Sequence, residues 1–385
     1  MNDVEKNPPK TGGLAGVVAG TTAICAIGQE GMGLTYRGYS IEDLAGQSTF
    51  EEVAQLLLYG ALPSATPLAM YHRQLMETRA LPAPLLSVLE QIPADTHLMD
   101  VMRTGCSFLG NLEPEAWDRD RLAVTNRLLA AFPAILLYWH HYHTSGKRIE
   151  TSTDEDSIAS HFLRLLHGTT PDDTLRRVLD VSLILYAEHG FNASTFTART
   201  VTSTQSDTYS AITAAIGALK GVLHGGANEA AMELIEQFQT PDEAEAGLME
   251  MLSYKRRIMG FGHRVYRNSD PRSNIIKAWA RMMCERMNAM PLFAVAERIE
   301  QVMRREKNLF PNVDFYSAIT YHLCGIPTQM FTPIFVMART AGWSAHISEQ
   351  RSENKLIHPE AEYNGPALQR YVALGERDDS PPDGR

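Results

Sequence analysis

Cysteine is scarce in this chain: four residues in 385, Cys25, Cys106, Cys284 and Cys324. No two form a C-x-x-C pair, so neither a metal ribbon nor a thioredoxin-type motif is expected. Sparse, unpaired thiols fit a reducing compartment, which makes a cytoplasmic location the expectation. Long apolar runs are scarce too. The longest, Leu128 to Trp139, contains Pro133 and falls short of the roughly 20 residues a membrane span needs. Met1 to Lys10 is polar and lacks the apolar core of a secretory signal. A soluble protein with no membrane partner is expected.

Positive charge is in deficit. The 35 Lys and Arg stand against 45 Asp and Glu, a formal net charge of −10. Phosphate contacts need a basic surface, so nucleic acid is not an expected partner. Several catalytic signatures are missing as well: G-x-x-x-x-G-K-S/T, G-x-G-x-x-G after a strand, G-x-S-x-G and H-E-x-x-H. Kinase, Rossmann oxidoreductase, α/β-hydrolase and zincin chemistry lose their usual support.

What is present is helical periodicity. The chain is 44% hydrophobic and long enough for two or three domains at roughly 150 residues each, with a large core. Phe50, Val53, Ala54, Leu57 and Leu58 repeat at helical spacing, and Thr49 with Glu52 ahead of them reads as a capping box. Leu292 to Met303 gives a second stripe, and Ala231, Leu234, Ile235 and Phe238 a third. Pro171 stands where a first helical turn would take it. Strand signals are confined to short β-branched runs such as Gly16 to Ile27. The fold class is mainly α with a small N-terminal β element. The ends, Met1 to Gly13 and Gly375 to Arg385, are expected to be mobile.

Three segments combine titratable side chains with a break in helix. In Gly221-Val-Leu-His224-Gly-Gly-Ala-Asn228, the glycines let backbone approach a ligand, and the following helix points its free N–H groups back at His224. That field disfavours imidazolium, and a neutral ring could donate to a developing oxyanion. The alternative is a turn histidine that caps a helix. The second, Gly260-Phe-Gly-His263-Arg-Val-Tyr266-Arg267…Asp270-Pro-Arg272, is a compact cationic segment suited to carboxylate or phosphate, or else a solvated basic loop. The third, Lys307 to Tyr316, holds Asp314 at the start of an apolar helix, where it is either a base or an N-cap. His140, His141 and His143 have no carboxylate or cysteine at ligand spacing, so no metal is expected. A carboxylate base, a neutral His and an acidic His together suit carbon–carbon bond formation through an enol.

These three segments resemble the catalytic segments of citrate synthases, and the resemblance runs from about Gly13 to Leu374. Gly31-Met-Gly-Leu-Thr-Tyr-Arg37, Met99 to Gly105, Tyr186-Ala-Glu-His189-Gly-Phe-Asn192-Ala-Ser-Thr and Glu349-Gln-Arg351 are more similar to the 2-methylcitrate synthase branch. The resemblance implies a two-domain helical homodimer: a large domain over 1–224, a small domain over 225–320 and a return to the large domain over 321–385 that reaches the partner subunit. It implies that Asp314 removes a proton from an acyl-CoA, His224 stabilises the enol and His263 protonates the acceptor ketone. His189, Arg272, Arg339 and Asn192 would face the acceptor, and Arg267, Lys307, Arg305 and Asn312 would face coenzyme A. No tightly bound cofactor is implied; the CoA thioester is a cosubstrate, and a 2-oxo diacid such as oxaloacetate is the other.

Two positions depart from that pattern. Gly190 stands where the family usually has an acid, and His358 replaces an Arg that holds an acceptor carboxylate across the subunit boundary. The first change is expected to free volume, and the second removes a permanent charge. A bulkier or more highly charged acceptor, phosphonopyruvate, is therefore an alternative to oxaloacetate. A non-catalytic paralogue that binds acyl-CoA is another.

Overall fold

The structure, a computed structural model, describes residues 12–14, 16–28, 33–116 and 121–377. Most of the two ends, and Gly31 and Met32 of one family-like stretch, lie outside the described residues.

A three-stranded antiparallel sheet opens the described chain: β1 (Cys25–Ile27), β2 (Leu34–Tyr36) and β3 (Tyr39–Ser40). Arg37 and Gly38 both take positive φ, 49° and 90°, which lets two residues close the β2–β3 hairpin. The strand expected over Gly16 to Ile27 shrinks to β1. Val17 and Val18 are exposed, and β-branched residues favour a strand only where a face can be buried.

Helices follow. They are α1 (Ile41–Gln47), α2 (Phe50–Tyr59), α3 (Ala65–Glu77), α4 (Ala83–Gln91) and α5 (Leu98–Leu112). Then come α6 (Arg121–Ser145), α7 (Ile158–His167), α8 (Asp173–Tyr186), α9 (Ala193–Ser203) and α10 (Thr208–Lys220). The next group is α11 (Ala227–Ile235), α12 (Pro241–Ser253), α13 (Pro271–Arg286), α14 (Met290–Lys307) and α15 (Val313–Leu323), and α16 (Phe331–Ser352) closes the series.

Local signals explain many of these limits. The Thr49–Glu52 capping box is formed at the start of α2, with both reciprocal bonds present. The third stripe ends early: α11 stops at Ile235, and Phe238 lies beyond it, before Thr240 caps α12. Pro171 lies outside α8, because the Asp172 carboxylate accepts from Thr174 N–H and sets the cap there. Pro133 is inside α6. The Leu122–Ser145 part of α6 is long and apolar enough to cross a membrane, but 83% of its most apolar window is buried within the protein.

The long α16 runs through the middle and is buried along most of its length, against α2, α6, α8, α9 and α10. In the 227–323 region α13 packs on α15, α12 on α14 and α11 on α15. That group meets the rest of the chain where α13 touches α1 and α8, where α15 touches α8 and where α11 touches α16. Arg272 and Asp314 are carried to this seam by α13 and α15.

Candidate active site

Backbone pairing brings two distant segments together. Phe261 and Pro311 form an isolated antiparallel bridge. Gly262 N–H donates to Phe310 O at 2.7 Å, and Asn312 N–H to Gly260 O at 2.9 Å. The Asn312 side-chain amide donates to Gly262 O at 3.2 Å across 50 residues of sequence. His263 leaves one edge of this bridge as Asp314 leaves the other. Asp270 ties the same point again: its carboxylate caps α13 and accepts from Val313 N–H at 3.2 Å.

Asp314 is not the cap of α15. Asn312 is, accepting from Asp314 N–H at 3.1 Å. This frees the Asp314 carboxylate, whose Oδ1 accepts from the Tyr186 hydroxyl at 2.6 Å. Burial raises the Asp314 pKa above its ordinary value; the Tyr186 bond and the Arg272 and Arg339 charges oppose that rise. Burial, and then the Asp314 charge, push the Tyr186 phenol well above its usual value, so it stays a donor.

His263 folds back on its own loop. Val265 and Tyr266 N–H groups donate to its Nδ1 at 3.0 and 3.2 Å, so the neutral ring carries its proton on Nε2. Burial, then the nearby Arg272 charge, lowers its pKa to about 4. Its ring centroid lies 4.9 Å from that of His189, and His189 Nε2 is 3.2 Å from the Tyr266 hydroxyl. His189 is itself held well below its usual pKa by burial and by Arg272.

His224 sits between α10 and α11. Ser194 N–H donates to its Nε2 at 3.2 Å, so the proton of the neutral ring is on Nδ1. Ser194 Oγ lies 2.8 Å from the same Nε2 and accepts from Trp343 Nε1 at 3.1 Å. Burial, and then Arg339, lower the His224 pKa to about 4. Burial and the Arg339 guanidinium therefore favour the neutral ring at physiological pH.

Two buried guanidiniums charge the site. Arg272 pairs with Asp270 through two bonds of 3.0 and 2.8 Å. Arg339, on α16, donates from Nε to Tyr186 O at 2.7 Å and lies over the Phe335 ring at 4.6 Å. Its Nη1 is buried without a partner among the described residues. Asn192 caps α9, and its amide also reaches His189 O and Gly190 O, so it shapes the turn that carries His189.

The residues expected to face coenzyme A are less uniform. Arg267 and Lys307 are exposed and, among the described residues, without an ion pair. Arg305 is exposed but paired with Glu245 at 2.9 Å and Glu306 at 2.6 Å. Asn312 is occupied by the cap and by Gly262. Arg264, part of the cationic segment, is exposed, and so are Lys255, Arg256 and Arg257, which were not singled out from sequence. His358 is exposed and, among the described residues, has no hydrogen bond or ion pair to the site. His141 and His143 bond backbone carbonyls.

A family model described as citrate synthase, C-terminal domain, matches residues 13–360. The chain belongs to the citrate synthase family. It is 52% identical over 378 residues to the 2-methylcitrate synthase of Shewanella oneidensis, covering 98% of this chain and 100% of that one. It is 40% identical to the citrate synthase of Deinococcus radiodurans, over 95% of this chain and 98% of the other. The structure superposes on a Thermoplasma acidophilum citrate synthase in ternary complex with carboxymethyl coenzyme A and oxaloacetate, with a TM-score of 0.88 and 32% identity. That match covers 95% of this chain and 98% of the other. The mainly α architecture is the one this family of structures shares.

Sequence reasoning gave no role to Tyr186, Ser194, Phe335 or Trp343. Tyr186 opens a stretch similar to the 2-methylcitrate synthase branch. Nothing in its apolar helix signals that its hydroxyl meets a carboxylate 128 residues away.

Proposed function

We propose that this member of the citrate synthase family condenses an acyl-CoA, acetyl- or propionyl-CoA, with oxaloacetate or a close 2-oxo diacid, and hydrolyses the product thioester to free CoA. The observation that carries this reading is the way two rings are held: backbone N–H groups donate to Nε2 of His224 and to Nδ1 of His263, which leaves the opposite nitrogen of each to donate. Burial and a nearby guanidinium favour the neutral form of both, and the half-buried Asp314 carboxylate accepts from Tyr186.

In this reading Asp314 takes a proton from the carbon next to the thioester. His224 Nδ1–H donates to the thioester oxygen and holds the enolate without giving up its proton. The enolate carbon attacks the acceptor ketone, and His263 Nε2–H protonates the ketone oxygen as the bond forms. Water then attacks the thioester and CoA leaves. His189, Arg272 and Arg339 hold the acceptor, with Asn192 shaping the turn beneath His189. Arg267 and Lys307 take CoA phosphates, and Arg305 joins them on leaving its acidic partners. The 225–320 region closes on the remainder and excludes water while the enolate exists.

We take the working form to be a cytoplasmic homodimer. Residues 353–377 run as an exposed segment with Leu356, Tyr363, Leu368, Tyr371 and Leu374 uncovered. A partner subunit would bury them and would bring His358 to the neighbouring site.

Phosphonopyruvate is the second acceptor reading, and His358 is what favours it. Gly190 does not add the expected volume: a Cβ there would meet Ile27 Cδ1 at 2.7 Å, so Ile27 already fills that space. Thiol release with oxaloacetate and phosphonopyruvate, each with acetyl- and propionyl-CoA, separates the readings. Preference for oxaloacetate with propionyl-CoA ends the phosphonopyruvate idea, and silence with every pair favours the non-catalytic paralogue.

A further inference from the structure

One face of α16 serves as the mould for the turn that carries His189. Phe335, Arg339, Gly342, His346 and Glu349 recur at intervals of four and three residues and share that face. Each meets the chain between Tyr186 and Arg199, or closes the network behind it. The Phe335 ring lies 4.7 Å from that of Tyr186, and Arg339 holds the Tyr186 carbonyl. Gly342 lets Ala187 and Glu188 lie directly on the helix; a Cβ there would collide with the Ala187 carbonyl and the Glu188 carboxylate.

His346 completes the mould. Arg199 Nη1 is 3.1 Å from His346 Nδ1, and a guanidinium only donates, so Nδ1 is the acceptor. The ring therefore carries its proton on Nε2 and donates it to Glu188 Oε1 at 2.8 Å. That same Oε1 accepts from Gly190 N–H at 2.5 Å. Arg199 is held in turn by Glu349 Oε2 at 2.7 Å, and Glu349 Oε1 accepts from Ala23 N–H at 2.8 Å. The result is an ordered chain of donors from the N-terminal segment to the two residues that flank His189. Glu188 Oε2 and Arg339 Nη1 are buried at its inner end and, among the described residues, unpartnered.

We infer that His346 is a positioning residue for the acceptor subsite. It touches no reacting atom. By fixing Glu188 it fixes the Glu188–Gly190 turn and so the His189 ring. This inference rests on the reading of His189 as an acceptor contact, and it predicts an effect on one substrate only.

The test compares wild type, His346→Phe and His346→Gln in the full-length protein by two readouts. The first is amide exchange across 187–192. His346→Phe keeps the ring volume but neither nitrogen, and should speed exchange there at least tenfold; His346→Gln keeps an N–H for Glu188 and should restore most of the protection. The second is steady-state kinetics: the acceptor KM should rise at least tenfold in His346→Phe while the acyl-CoA KM stays within about twofold. Arg199→Met, which leaves the ring in place and frees its tautomer, should shift both readouts in the same direction and serves if the Phe variant does not fold. Unchanged exchange in a folded variant, or equal losses for both substrates, overturns the inference. Because exchange needs no turnover, a wild type inactive with every acceptor would refute the proposed function while the positioning result still stood or fell by itself.

Discussion

The Tyr186 hydroxyl donates to Asp314 Oδ1 at 2.6 Å, joining the end of α8 to the start of α15 across the seam of the molecule. The bond leaves Oδ2 as the oxygen free to accept a proton. It also stabilises the charged form of a carboxylate that burial alone would drive toward neutrality.

The pH dependence follows from the signs of these shifts. A raised Asp314 pKa means that the base is lost as pH falls through a value above the ordinary 3.8. The two imidazoles become charged only near pH 4. kcat/KM should therefore fall on the acid side as Asp314 is protonated and as the two imidazoles charge. Tyr186→Phe removes a bond that favours the carboxylate, so it should move the acid limb to higher pH. A limb that stays in place in Tyr186→Phe contradicts the assignment of Asp314 as the base.

His224→Ala should reduce kcat by about 10²–10³, the usual effect of losing one oxyanion donor. The ring lies partly buried at a turn, so the variant should fold, and thermal unfolding monitored by circular dichroism should show a transition like that of wild type. Retained kcat in a folded variant would remove His224 from the mechanism.

Gly190 has φ of +58°, and a side chain there meets Ile27. Gly190→Ala should cost about 1–2 kcal/mol from the left-handed backbone alone, with the Ile27 contact added. Urea unfolding of the single and double variants with Ile27→Ala should show that the two changes together cost less than their sum. Simple additivity would mean that Ile27 does not fill the Gly190 space.

Breaking the buried Asp270–Arg272 pair should be expensive. Asp270→Asn leaves a buried guanidinium without its charged partner, which typically costs about 3–5 kcal/mol. It also weakens the joint between α13 and α15. Denaturant unfolding measures the first effect, and a rise in acceptor KM the second.

The helices were legible where the signal is local. The α2 capping box needs only Thr49 and Glu52, three residues apart, and both bonds form. The order His224, His263, Asp314 was legible as motifs, whose family resemblance is now matched by a family model over residues 13–360. What joins those motifs was not legible. The bonds from Arg339 to Tyr186 and from Trp343 to Ser194 span 153 and 149 residues, and no periodic pattern encodes which face of α16 meets which loop. Asp314 was ambiguous for a similar reason. Asn312 and Asp314 are both good caps at neighbouring positions, and only the pairing of Asn312 with the Gly260–Gly262 segment decides between them.

The central claim is that Asp314 deprotonates an acyl-CoA for attack on a 2-oxo acid. The direct measurement is thiol release from propionyl-CoA with oxaloacetate, run on wild type and on Asp314→Asn, with product identified by mass. Wild type should turn over within the usual range of about 1–10³ s⁻¹, giving free CoA and a branched tricarboxylate. Asp314→Asn, which keeps an acceptor for the Tyr186 hydroxyl, should lose at least a thousandfold while remaining folded. Undiminished turnover by that variant, or CoA released without a new carbon–carbon bond, would contradict the account.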